Sequence, residues 1–200
     1  MEKKKRLRIA FIIVVVLQLI FLAGMIWMKT YTLNNGEKIL LKTAPVDPIS
    51  LFSGNYIILN YDISTIDLST VETDIDYRKL ESLYKDNKYT LANRQLQKLY
   101  VKLGKKNGDK FWSVVSVTSS KPPVGNGELM LLGKDGRFMG WNQKPQIRLN
   151  YGIESYYITE GTGIEIESKL RNRNSETSVE VAVDKAGSAG ILAIYQDGTR

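Results

Sequence analysis

Ile9-Ala10-Phe11-Ile12-Ile13-Val14-Val15-Val16-Leu17-Gln18-Leu19-Ile20-Phe21-Leu22-Ala23-Gly24-Met25-Ile26-Trp27-Met28 is a run without a single charge, and its one clearly polar side chain is Gln18. At about 1.5 Å of rise per residue, a helix of this length spans about 30 Å, the thickness of a bilayer's hydrocarbon core. Lys3, Lys4, Lys5, Arg6 and Arg8 stand directly before it; Trp27, Lys29 and Tyr31 stand at its far end. Basic flanks stay cytoplasmic, and amphipathic aromatics settle at the interface. The sequence therefore reads as a basic cytoplasmic tail (1–8), a transmembrane helix (9–28), a juxtamembrane linker (29–36) and an extracytoplasmic domain (37–200). It is single-pass in the cell membrane, with the N-terminus inside. A cleaved signal peptide has a shorter apolar core and small residues at its cleavage site. Met25-Ile26-Trp27-Met28-Lys29 offers none, and a lipoprotein would need a cysteine.

The anchor also explains much of the charge. The 200 residues carry a net +7, but residues 1–8 alone set five bases against Glu2. What remains is nearly balanced, so no nucleic-acid partner is expected. The chain has no cysteine and no histidine. That excludes a disulfide framework, thiol catalysis, Ser-His-Asp triads and the usual zinc ligands.

Strand signals dominate the outer part. Glu37–Thr43 and Asn55–Ile63 are β-prone, with Pro45 and Pro48 stiffening the chain between them. Residues 74–85 place Tyr77, Leu80 and Tyr84 on one helical face, with Asp74 and Asp76 at the favourable N-terminal end. Leu99–Leu103 with Phe111–Thr118 predict a hairpin around Lys106-Asn107-Gly108-Asp109. Glu128–Leu132 with Arg137–Trp141 predict a second around Lys134-Asp135-Gly136. Gln146–Tyr151 and Tyr156–Ile158 are further strands. Thr162 and Glu165 have the spacing of a capping box opening a helix through Asn172. Val179, Val181 and Val183 alternate, as do Ile191, Ala193 and Tyr195, predicting a hairpin across Asp184–Ser188. The expected class is α+β, mainly β: a transmembrane helix, then an antiparallel barrel- or sandwich-like domain with two short helices.

Leu59-Asn60-Tyr61-Asp62-Ile63 echoes Leu149-Asn150-Tyr151-Gly152-Ile153. Duplicated halves would explain the echo, and so would chance in five residues.

Leu41-Lys42-Thr43-Ala44-Pro45-Val46-Asp47-Pro48 followed by Leu51-Phe52-Ser53-Gly54-Asn55-Tyr56-Ile57-Ile58-Leu59-Asn60-Tyr61 resembles the GDYXXLXY family of bacterial membrane-anchored proteins. Tyr151-Gly152-Ile153-Glu154-Ser155-Tyr156-Tyr157, Glu160-Gly161-Thr162-Gly163 and Val179-Glu180-Val181-Ala182-Val183-Asp184 extend the resemblance over most of the chain. The family's aspartate is Asn55 here, which favours a structural side-chain hydrogen bond over carboxylate chemistry. The resemblance implies no activity. It does imply a companion role beside polytopic membrane proteins.

In physical terms the motif is a turn entering a strand. Gly54 permits a close backbone approach. Tyr56, Ile58 and Asn60 face one way, and Ile57, Leu59 and Tyr61 the other. The candidate interaction surface is Asp47, Gly54, Asn55, Tyr56, Leu59, Tyr61, Tyr151 and Glu154, with Ile57 and Leu59 as core. No catalytic, cofactor or metal-binding set emerges. Ser50, Ser53 and Ser64 lack the context of a Ser–Lys nucleophile. The paired carboxylates Glu165 and Glu167 point to different faces of a helix. The expected partners are the bilayer and an integral membrane protein. An envelope hydrolase and an envelope-polymer binding module are the alternatives.

Overall fold

The computed structural model describes residues 2–44, 56–105, 108–140, 144–157 and 176–196, with the side chains of Glu2, Lys3 and Tyr56 outside that description. The class is α+β, mainly β, as expected. α1 (Glu2–Asn35) contains the apolar run and is long and apolar enough to cross a membrane. Its side chains from Lys4 to Tyr31 are exposed, as suits a helix whose surroundings are lipid.

α1 does not stop at Met28. Residues 29–35, expected as a linker, are its last two turns. They are held by the domain: Thr32 Oγ1 donates to Asp184 Oδ2 at 2.6 Å, and Lys29 Nζ donates to the Ala189 carbonyl at 2.9 Å. Gly36 then lets the chain turn into the first strand. A Cβ there would lie 2.5 Å from the Thr32 carbonyl oxygen and 2.9 Å from the Val183 nitrogen.

The strands are β1 (Glu37–Lys42), β2 (Tyr56–Ile58), β3 (Thr65–Asp67), β4 (Glu72–Thr73), β5 (Lys98–Gly104), β6 (Ser113–Thr118), β7 (Glu128–Phe138), β8 (Gln146–Asn150), β9 (Ser155–Tyr157), β10 (Thr177–Val183) and β11 (Ala189–Gln196). They pair as β1-β10-β11, β2-β9 and β3-β8-β7-β5-β6-β4, antiparallel except for β4 beside β6. The expected β5–β6 and β10–β11 hairpins are present. The strand expected over Asn55–Ile63 is shorter: after β2 the chain runs through Leu59–Tyr61 into a 3₁₀ turn, Asp62–Ser64.

In place of the hairpin expected from Glu128–Leu132 and Arg137–Trp141, residues 128–138 form the single strand β7. Asp135 has φ 49° and Gly136 follows it. Together they oppose the single residue Leu149, because Lys134 pairs with Asn150 and Arg137 with Arg148. The turn signal is thus used as a bulge, the one-residue insertion that twists a strand without reversing it. Both backbone N–H groups stay paired, Asp135 to the Gln97 carbonyl and Gly136 to that of Leu96.

α2 (Tyr77–Lys85) ends where expected but begins three residues later than the expected 74, with the Asp76 side chain accepting from the N–H groups of Arg78 and Lys79. α3 (Tyr89–Gln95) follows it and is not foreseen by the sequence reading. The helix expected over 162–172 lies outside the described residues.

The pairing pattern resolves the internal echo. Ile57 pairs with Tyr156 as Ile147 pairs with Ile66, and Ile58 with Ser155 as Arg148 with Thr65. Glu37 pairs with Val183 as Glu128 pairs with Gly104, and Lys42 with Ser178 as Gly133 with Leu99. The β10–β11 and β5–β6 hairpins each carry a register shift near the middle. The two halves of the domain therefore repeat one plan and exchange partners: β1 is completed by β10, and β7 by β5. With this register, Gly36-Glu37-Lys38-Ile39-Leu40-Leu41 also lies over Gly127-Glu128-Leu129-Met130-Leu131-Leu132. Both halves contribute to one continuous core that includes Ile39, Leu41, Val101, Leu131, Val179 and Val181.

Candidate functional site

The motif lies where the two halves cross. Tyr61 and Tyr151 are 1% and 6% exposed, and Leu59 beside them is 2% exposed. The Tyr61 hydroxyl donates to the Ile153 carbonyl at 2.7 Å, and the Tyr151 hydroxyl donates to the Ile63 carbonyl at 2.6 Å. Each echo segment thus ties down the other through the same bond. Glu154 closes the crossing. Its carboxylate accepts the backbone N–H groups of Tyr151 and Gly152, and its carbonyl accepts the Leu59 N–H at 2.7 Å. Asn60 Oδ1 accepts from Arg148 Nη2 at 2.6 Å.

Of the eight candidate surface residues, Leu59, Tyr61 and Tyr151 are therefore buried in the core, and Glu154 is spent on backbone. Tyr56 is placed by its backbone pairing with Tyr157. Asp47, Gly54 and Asn55 lie outside the described residues. Ser64, weighed as a nucleophile, is 4% exposed, and its hydroxyl has no hydrogen-bond partner among the described residues. Ser50 and Ser53 lie outside them. Among the described residues no group of three His, Cys, Asp or Glu side chains could hold a metal ion.

Burial pushes the Tyr61 and Tyr151 phenols far above their ordinary value of 10.0, and the Glu154 carboxylate adds to the rise. At neutral pH both are donors and neither is an acid–base group. The sign of the linkage follows. Each phenol holds its proton more tightly folded than unfolded, so its contribution to stability is complete below pH 10.0. That contribution is lost as the pH climbs from there toward the folded value. In an alkaline titration of the full chain, the tyrosinate absorbance of Tyr61 and Tyr151 is expected only together with loss of the circular dichroism of the fold. Ionisation of both before unfolding would contradict their burial.

Beside the crossing, the chain leaves an open groove of about 470 Å³. It is lined by Lys42 from the end of β1, by Asp62 and Ile63 from the 3₁₀ turn directly after the motif, and by Trp112 from the entrance to β6. The bridge between Thr43 and Tyr61 brings Lys42 and Asp62 together. The backbone N–H of Trp112 donates to the Leu40 carbonyl at 3.2 Å and ties the entrance of β6 to β1. Partial burial pushes the Asp62 carboxyl up, and the positive charge of Lys42 opposes the rise. The sequence reading missed this groove, since its lining comes from three separated segments.

A family model described as GDYXXLXY protein matches residues 18–194. The chain belongs to the GDYXXLXY family. The match runs from the second half of the anchor into β11, so it takes in both echo segments. Neither a curated protein nor a solved structure matches the chain. In this GDYXXLXY protein the Leu and the second Tyr of the eponymous motif, Leu59 and Tyr61, are core residues that join the two halves.

Proposed function

We propose that this protein is a single-pass, non-enzymatic companion or scaffold of an integral membrane protein, with its β-rich domain outside the cytoplasm. The observation that carries the reading is the continuity of anchor and domain. α1 crosses from the apolar run into the domain without a break, and Thr32, 4% exposed, is fastened to Asp184 within one turn of Met28. Leu33 packs where a side chain at position 190 would stand, 2.6 Å from a Cβ built on Gly190. A tether for a freely moving domain needs only a flexible linker. A helix docked this closely fixes which face of the domain lies against the bilayer, which is what a membrane-embedded partner requires. The bases Lys3 to Arg8 support the orientation, and the family resemblance supports the kind of partner.

Co-purification of the tagged full chain from native membranes in mild detergent tests the role. Retention of an integral membrane protein, lost when α1 is replaced by an unrelated transmembrane helix, is expected. Consistent recovery without any integral membrane protein would end the proposal.

A further inference from the structure

The groove beside the crossing breaks the symmetry of the two repeats. Lys42 takes the register of Gly133, since each pairs with the equivalent residue of its partner strand. Asp62 and Gly152 follow the equivalent tyrosines Tyr61 and Tyr151. Ser113 pairs with Gly104 as Ala189 pairs with Val183, so Phe111 and Trp112 correspond to Gly187 and Ser188. The second repeat forms the same registers with three glycines and a serine at these positions. The charged and aromatic side chains lining the groove are thus particular to the first repeat, and Trp112 also packs against the core.

Their chemistry converges on one kind of ligand. The lining is apolar at Ile66, Val71 and Val114, and the half-buried Phe111 and Trp112 add aromatic surface. The rim carries both signs of charge. Lys42 stands close enough to Asp62 to act on its carboxyl, and Lys110 Nζ lies 3.1 Å from Glu176 and 5.2 Å from the Phe111 ring. An anionic ligand would meet the carboxylates of Asp62, Asp67 and Asp109, and a cation would meet two ammonium groups. An uncharged ligand meets neither penalty, while its hydroxyl groups gain charge-assisted hydrogen bonds to the same side chains. An indole face suits the weakly polarised C–H face of a saturated ring, and the volume falls in the range of small-ligand sites.

We propose that this groove binds an uncharged, polyhydroxylated ligand of the sugar class, with a ring against Trp112 and hydroxyls bonded to Asp62, Asp109 and Lys42. The site is independent of the companion role, which rests on the other end of the domain.

The test uses the full chain in nanodiscs with Trp27→Phe and Trp141→Phe, which leaves Trp112 as the reporter among the three tryptophans. Maltotetraose, chitotetraose and mannotetraose are titrated to millimolar concentration, with glycerophosphoethanolamine as a zwitterionic comparison. A saturable shift of Trp112 emission with at least one tetrasaccharide is expected. Asp62→Asn is expected to weaken it about 10-fold, and Lys42→Gln in parallel serves should the first variant lose its fold. No saturable shift with any tetrasaccharide, binding that both variants leave unchanged, or saturation by the zwitterion alone would overturn the assignment.

Discussion

Replacing Tyr61 and Tyr151 together by Phe is expected to cost about 2–6 kcal/mol, from about 1–3 kcal/mol for each buried carbonyl left without its donor. The rings and their packing remain, so the loss belongs to the two hydroxyls and to the Ile153 and Ile63 carbonyls they serve. For a domain of ordinary stability that is a large share of the total. The single substitutions are expected to cost similar amounts, because the two bonds are equivalent in the repeat. Comparing the double substitution with the sum of the singles measures how strongly the two bonds are coupled through the crossing they share. Tyr89→Phe is the control: Tyr89 is 42% exposed and its hydroxyl meets only the exposed Asn87 side chain. It should change stability by no more than about 0.5 kcal/mol. Denaturant unfolding of the full chain in mild detergent measures all four variants. A double variant as stable as the Tyr89 control would show that the crossing does not depend on these bonds.

Leu149→Ala is expected to cost about 2–5 kcal/mol as a buried large-to-small change. Leu149 is 1% exposed and faces the bulge of β7. The glycines around it give a sharper test than the loss alone. The three atoms nearest a Cβ at Gly133 all belong to Leu149, with Cδ1 at 2.8 Å and Cβ at 3.3 Å. A Cβ at Gly136 would meet Leu149 Cδ2 at 2.8 Å and also the Leu96 carbonyl oxygen at 2.6 Å. Gly133→Ala and Gly136→Ala should each cost about 1–3 kcal/mol in the native background by overpacking. In the Leu149→Ala background the methyl at 133 enters the space vacated by the Cδ1 and Cγ atoms, and its cost should fall. The methyl at 136 still strikes backbone, and its cost should persist. Equal rescue of both glycine variants would contradict the packing described for the bulge.

Local signals were legible and long-range ones were not. Asp76 is readable as a helix cap because its partners, the N–H groups of Arg78 and Lys79, are two and three residues away. The β10–β11 hairpin is readable because its turn is closed locally: Asp184 Oδ1 accepts the N–H groups of Ala186 and Ser188. Asp135-Gly136 carries the same local signal as a hairpin turn, and only the continued pairing with β5 and β8 makes it a bulge. α3 has no apolar periodicity to reveal it: Ala92 is its only buried residue, and Lys88 offers no side-chain cap. The echo of Leu59–Ile63 in Leu149–Ile153 was visible, but its meaning depends on β2 pairing with β9 and β3 with β8. No local pattern encodes that exchange. The candidate site divides in the same way. Leu59 was foreseen as core, whereas the burial of Tyr61 and Tyr151 follows from contacts across the whole domain.

The rigid union of anchor and domain underlies the proposed role, and it can be measured as a distance. The chain has no cysteine, so Leu17→Cys on α1 and Lys134→Cys on β7 place two spin labels without competition. Pulsed electron–electron double resonance in nanodiscs should give one narrow distance distribution. Asp184→Ala, which removes the acceptor of Thr32 and the closure of the β10–β11 turn, should broaden it. A broad distribution in the native background, unchanged by Asp184→Ala, would mean that the domain swings freely on its anchor and would contradict the rigid coupling.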